Sequence, residues 1–167
     1  MKVTSSHTYA ASPAVVFEAM TTPEVLIEKY TALGHQDVRI MERTESAGAV
    51  RVTSKRKVPM EVPGFAKRFL QPLNTVEQTD EWQAPTAKGE RHGTWKVSAS
   101  GVPVSVGGTL HLKAAGKGRT VVEIDGDVSC SIPFVGGKLA SFVGADVERT
   151  MRGEEEFNDA HLATPAG

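Results

Sequence analysis

Asp80 and Arg91 are the titratable residues best placed to do chemistry. The stretch Leu73–Trp82 alternates, so that Val76, Gln78, Asp80 and Trp82 share one face of a strand. On an inward face, Asp80 is a buried carboxylate whose neutral form is favoured and whose pKa is raised. With Gln78 and Arg91 it would form the polar end of an apolar cavity, the setting in which a carboxyl group exchanges protons near neutral pH. The plainer alternative is an exposed Asp80, or one paired structurally with Arg91. The histidines His7, His35, His92, His111 and His161 are scattered without the spacing of a metal motif, so no metal site is expected. His92 and His111 fall on the polar faces of their strands and read as solvated side chains.

Other chemistries lack their residues. No nucleophile elbow is present. Gly107-Gly108 lies in a strand, where a bend is the ordinary role of glycine. Gly136-Gly137 lacks the Lys-Ser/Thr sequel of a phosphate loop. The single cysteine, Cys130, excludes an internal disulfide and a cysteine metal cluster, and its apolar setting suits an inert buried thiol. Lys55-Arg56-Lys57, with Lys67-Arg68, could meet an anionic head group but reads first as solvated surface. A net charge of −1 gives no electrostatic case for nucleic acid or acidic membranes. No cofactor is implied.

The aromatic residues point elsewhere. Trp82 and Trp95 fall on inward faces of neighbouring strands. Phe142, Met151 and Phe157 belong to a late helix, and Phe65 and Phe69 to an apolar loop. Small-molecule pockets are concave, mostly apolar and carry few polar groups. The candidate lining is Phe65, Phe69, Gln78, Trp82, Trp95, Leu110, Ile124, Leu139, Phe142, Val143 and Met151; the same residues would equally serve as plain core.

The elements that position them begin with a strand, Lys2–Ala10. Ser12-Pro13 and Thr22-Pro23 are cap-plus-proline starts for two short helices, and Gly34 is a C-terminal stop. From His35 the period changes to two, with strands over 37–44, 49–57, 73–82, 90–99, 106–115 and 119–130. The cleanest is the last, with Val122, Ile124, Gly126, Val128 and Cys130 inward. Between them Val58–Pro72 is irregular yet apolar, suited to covering a sheet edge or gating a cavity. The stretch Pro133–Asn158 then places Val135, Leu139, Phe142 or Val143, Val147 and Met151 at helical spacing, an element about 39 Å long. It is rich in small residues, including Gly136, Gly144 and Gly153. Each interior glycine costs about 1 kcal/mol of helix propensity, so packing must support the helix; the small residues allow close approach or leave room for a cavity. A curved antiparallel sheet of six to seven strands around this helix, an α+β fold, is expected. Residues 1–160 read as one domain and 161–167 as a flexible tail.

Tyr9-Ala10-Ala11-Ser12-Pro13-Ala14-Val15-Val16-Phe17 followed by Thr22-Pro23-Glu24 resembles the opening of the START-like (SRPBCC) superfamily, and the element order is similar over essentially the whole chain. Val62–Leu70 and Glu81-Trp82 look like an uncharacterised bacterial branch of it. The resemblance implies a helix-grip fold and a cavity between sheet and long helix for a hydrophobic or amphipathic, lipid-like molecule. It also implies an alternative, an enzyme similar to the polyketide cyclase or aromatase members, for which Asp80, Arg91 and His92 are the candidates. A third reading is a partner-binding domain using the Val58–Leu70 loop. The sequence shows neither a signal-peptide core nor a run long enough to span a membrane, so a cytoplasmic monomer or weak dimer is expected.

Overall fold

In the computed structural model, which describes residues 1–164, the chain opens with β1 (Lys2–Tyr9), then α1 (Pro13–Thr21) and α2 (Pro23–Ala32). Proline occupies the first turn of both helices. Ser12 and Thr22 stand at the N-cap positions as expected, but neither side chain caps; the Thr22 hydroxyl instead donates to the Glu18 carbonyl at 2.7 Å. Gly34, at φ +89°, ends α2.

Six strands follow: β2 (Gln36–Ser46), β3 (Ala49–Pro59), β4 (Leu73–Trp82), β5 (Arg91–Ala99), β6 (Val104–Ala114) and β7 (Thr120–Cys130). Ala47 and Gly48 both adopt positive φ in the β2–β3 turn, which matches the right-handed twist of a tight hairpin. All pairings are antiparallel, in the order β1-β7-β6-β5-β4-β3-β2. The first strand therefore joins the last, and the remaining strands form a meander.

The long helix α3 spans Gly136–Ala163, 28 residues and about 42 Å. It starts three residues later than its apolar pattern suggested, because Phe134 takes φ +69° and is fully exposed. It also ends later, so residues 161–163, expected in a tail, are helical, and residues 165–167 of that tail lie outside the described residues. The helix lies across β1 and β7, with α2 beside it. This is the expected helix-grip arrangement.

The helix glycines serve close packing. A Cβ on Gly136 would stand 2.6 Å from the Cys130 carbonyl oxygen, and one on Gly153 would stand 2.5 Å from Leu33 Cδ2. Gly144 lies equally close against the Met1 side chain. None of the three borders the internal cavity. Of the two readings of the small residues, close approach and room for a cavity, these glycines follow the first.

Candidate functional site

A cavity of about 150 Å³ lies between the concave sheet and α3. Its apolar wall comes from strand positions of one parity and from helix positions three and four apart. Trp95, Leu110, Ile124, Val143, Met151 and Gln78 of the expected lining all border it, as does Asp80. Met60 and Leu70, from the irregular Val58–Pro72 segment, close one end.

The remaining expected residues lie elsewhere. Trp82 is buried, but its ring meets the edge of Phe17 from α1, with centroids 5.5 Å apart. Leu139 packs in a second core cluster with Ala66 and Leu70, which Phe65, Phe69 and Phe142 join at its margin. None of these five lines the cavity. Phe65 and Phe142 meet edge to face instead. Arg91 does not reach Asp80 either. Asp80 is opposite Trp95 in register, so Arg91 lies four residues, about 13 Å, along the sheet. Its guanidinium sits 3.6 Å from the Phe17 ring centre and donates to the Gly48 carbonyl at 2.9 Å and the Gln83 carbonyl at 3.1 Å.

The polar end of the cavity is built around Arg56, at 4% exposure. Arg56 Nε donates to His35 Nδ1 at 3.1 Å, Nη1 to Ser54 Oγ at 3.2 Å and Nη2 to Gln78 Oε1 at 2.9 Å. Gln78 Nε2 in turn donates to Asp80 Oδ1 at 3.0 Å. Accepting through Nδ1 fixes His35 as the Nε2–H tautomer. Burial, then the nearby Arg56 charge, lowers the His35 pKa from 6.5 to about 4. Burial raises that of Asp80 from 3.8 to about 6, although the Gln78 hydrogen bond, Lys29 and Arg56 oppose it. Glu154 of α3 pairs with Lys29 of α2 at 3.1 Å. Burial alone would raise Glu154, but the Lys29 and Arg56 charges bring it below its ordinary value. Lys29 is thus neutralised by a direct carboxylate, whereas all three of Arg56's hydrogen-bond acceptors are neutral groups.

A second polar edge lies where β1 faces the end of α3. His7 Nε2 contacts the Asp159 carboxylate at 2.9 Å, and Ser5 Oγ donates to Glu155. Asn158, 4% exposed, directs Nδ2 toward the Tyr9 hydroxyl at 3.5 Å. Among the described residues its Oδ1 has no hydrogen-bond partner. A buried carbonyl oxygen without a partner costs about 1–3 kcal/mol, and Asn158 is one of the residues that line the cavity.

The family described as "Protein of unknown function (DUF2505)" matches residues 4–162. The chain belongs to that family. No curated protein matches it in sequence. Among solved structures, the DUF2505 chain is similar to the Zhui aromatase/cyclase from Streptomyces sp. R1128, at 17% identity, TM-score 0.66, and coverage of 100% of this chain and 98% of that one. It is similar to TTHA0849 from Thermus thermophilus, at 17% identity, TM-score 0.62, and coverage of 96% and 99%. It is also similar to the lipid transfer and protein localization domain of human StarD13, at 13% identity, TM-score 0.59, and coverage of 98% and 77%. The fold is the helix-grip of the START-like (SRPBCC) superfamily. Among the described residues, no helix is long and apolar enough to cross a membrane.

Several cavity residues of this DUF2505 member escape a sequence reading. Arg56 sits in Lys55-Arg56-Lys57, which reads as charged surface; it is buried because it shares strand parity with Val50, Val52 and Val58. That parity was the available signal. Lys29 is buried at 4% exposure inside an otherwise ordinary amphipathic helix, and its sequence neighbourhood carries no sign of Glu154. His35 follows the Gly34 stop and packs parallel to Tyr30, with ring centroids 5.6 Å apart. His111, expected to be solvated, is partly covered: it stacks on His92 and bonds Glu90.

Proposed function

We propose that this chain is a cytoplasmic binding protein, a monomer or weak dimer, that holds a small hydrophobic or amphipathic molecule between the sheet and α3. One observation carries this reading: an apolar cavity of about 150 Å³ ends on a buried cation, Arg56, whose three hydrogen-bond acceptors are all neutral groups. An apolar cavity of this size holds a molecule like benzene. It lies below the roughly 300–1,000 Å³ of pockets for drug-sized ligands. The favoured ligand is therefore one ring or a short branched chain bearing a polar group. A lipid-like chain enters only if α3 or the Val58–Pro72 segment moves outward. The fold shared with an aromatase/cyclase and a lipid transfer domain supports the reading.

Native mass spectrometry of freshly purified protein, followed by solvent extraction, tests it. The expected result is a released apolar adduct, or uptake from a panel of substituted aromatics and short fatty acids. Val97→Phe, which fills the cavity from β5, should abolish that uptake while the chain stays folded. A clean apo mass with no uptake, or uptake unchanged by Val97→Phe, would reject the proposal.

A second reading, catalysis on the same bound molecule, is favoured by Asp80. Its pKa of about 6 suits a general acid or base near neutral pH. Once a turnover is found, Asp80→Asn should lower it at least tenfold with binding retained; an unchanged rate removes Asp80 from the chemistry.

A further inference from the structure

A second site stands on the opposite face of the sheet. His92 of β5 and His111 of β6 are direct register partners, and His111 is in turn opposite Glu123 of β7. The two imidazoles stack with ring centroids 4.2 Å apart. Glu90 precedes β5 and is held by the Thr86–Glu90 turn, where Thr86 N–H donates to the Glu90 carbonyl at 2.8 Å and Glu90 N–H to Thr86 Oγ1 at 3.2 Å. Its Oε1 contacts both rings. It bonds His111 Nε2 directly and lies 3.5 Å from His92 Nε2.

We propose that Glu90, His92 and His111 form a binding site for a divalent transition-metal ion of the zinc type. One ligand atom from each residue lies within 4.8 Å of the other two. Ligands of a tetrahedral zinc ion, at about 2.0–2.2 Å from the metal, are about 3.3 Å apart. The His92–Glu90 separation already fits, and an ion entering the gap takes the place of the His111–Glu90 hydrogen bond. Two imidazole nitrogens and one carboxylate suit zinc and its neighbours over magnesium or calcium, which prefer all-oxygen shells. Three protein ligands leave a coordination position for water or another molecule.

Two further features fit an ion rather than a chance surface cluster. The second ring nitrogen of His111, Nδ1, faces Glu123 Oε2 at 3.9 Å, and Glu123 is itself held by Lys113 at 3.0 Å. A metal-ligating histidine typically turns its other nitrogen to a carboxylate, which orients the ring; Glu123, at 3.9 Å, would take that positioning role once the ring shifts to bind the ion and closes the gap. His92 and His111 also line a solvent-open groove of about 800 Å³, which gives an ion its entry path. The histidines are far apart in sequence, and strand pairing alone brings them together.

Calorimetric titration of the tag-free, EDTA-treated full chain with Zn²⁺ tests the site. One ion per chain should bind in the micromolar range, with Mg²⁺ giving no competing heat. The double variant His92→Ala/His111→Ala, on outward-facing strand positions outside the core, should keep its circular dichroism spectrum and lose at least about 100-fold in affinity. Glu123→Gln should weaken binding about tenfold. Zinc should raise the melting temperature of the parent chain and not of the double variant. No binding by the folded parent, equal affinity for Mg²⁺, or zinc binding retained in the double variant through another cluster such as His7–Asp159 would each overturn the proposal.

Discussion

The guanidinium carbon of Arg56 lies 3.8 Å from the centre of the Tyr30 ring. The contact ties β3 to α2, and the three hydrogen bonds of Arg56 tie both to His35 and Gln78. Arg56→Met keeps much of the volume but strands buried acceptors on Gln78 and His35 and removes the cation–π contact. It should lower unfolding free energy by about 2–4 kcal/mol in urea titrations. Arg56→Lys should fall between the two, because a lysine cannot reproduce the planar fork. A loss under about 0.5 kcal/mol for Arg56→Met, the scale of an ordinary surface change, would mean that the network carries no stability.

His35 and Asp80 give stability opposite pH dependences in nearly one window. Asp80 has its folded pKa raised from 3.8 to about 6. The folded state holds its proton longer, so its contribution is full below pH 3.8 and lost as pH rises through 6. His35 is lowered from 6.5 to about 4, so its contribution is present above pH 6.5 and lost as pH falls through 4. Each shift corresponds to about 3 kcal/mol. Glu154 is held below its ordinary value by the Lys29 and Arg56 charges, so it does not share the upward shift of Asp80. Relative to the parent chain, Asp80→Asn should therefore gain stability between pH 4 and 6. His35→Asn, which preserves an acceptor for Arg56, should lose stability between pH 4 and 6.5. Urea unfolding at several pH values reads both differences; parallel curves for parent and variants would reject the assignment.

The inward face of nearly every strand was legible, because side chains alternate with period two and the core takes one parity. Position along the strand was not. Asp80 and Trp82 share a face, yet one borders the cavity and the other meets Phe17, because the curved sheet presents different neighbours to each. Arg91 has the right parity as well and lies too far along β5 to meet Asp80. Charge misled at Arg56, where local composition suggested solvent, and nothing local marks the burial of Lys29, which a distant partner supplies. The aromatic residues of the Val58–Pro72 segment and Phe142 were read as lining, but they found one another in a separate cluster.

Gly126 is the floor on which Trp95 rests. A Cβ there would stand 2.5 Å from Trp95 Cζ2 and 2.9 Å from the Gly107 carbonyl oxygen. Trp95 also donates from Nε1 to the Asp125 carbonyl at 3.2 Å, so the ring cannot slide without losing a bond. Gly126→Ala should cost about 1–3 kcal/mol through overpacking and alter the near-ultraviolet circular dichroism of the tryptophans. Adding Trp95→Phe removes the closest clashing atoms and leaves only the Gly107 carbonyl contact, so the double variant should be more stable than the sum of the single effects. Strict additivity would show that the clash is relieved elsewhere.

The Lys29–Glu154 pair separates the stability of the cavity end from its charge. Both side chains are largely withdrawn from water, at 6% and 22% exposure, and the pair bridges α2 and α3. Removing one partner leaves a charge in a poorly solvated site beside Tyr30 and Asp80. Breaking such a pair costs about 3–5 kcal/mol, whereas replacing both members with apolar residues of similar volume is often neutral or stabilising. Lys29→Met alone should thus destabilise strongly, and Lys29→Met/Glu154→Leu should recover most of the loss. Urea unfolding of the full double-mutant cycle measures the coupling directly. Equal losses for the single and double variants would show that Lys29 acts through its packing over Tyr30, at 4.9 Å from the ring centre, rather than through Glu154.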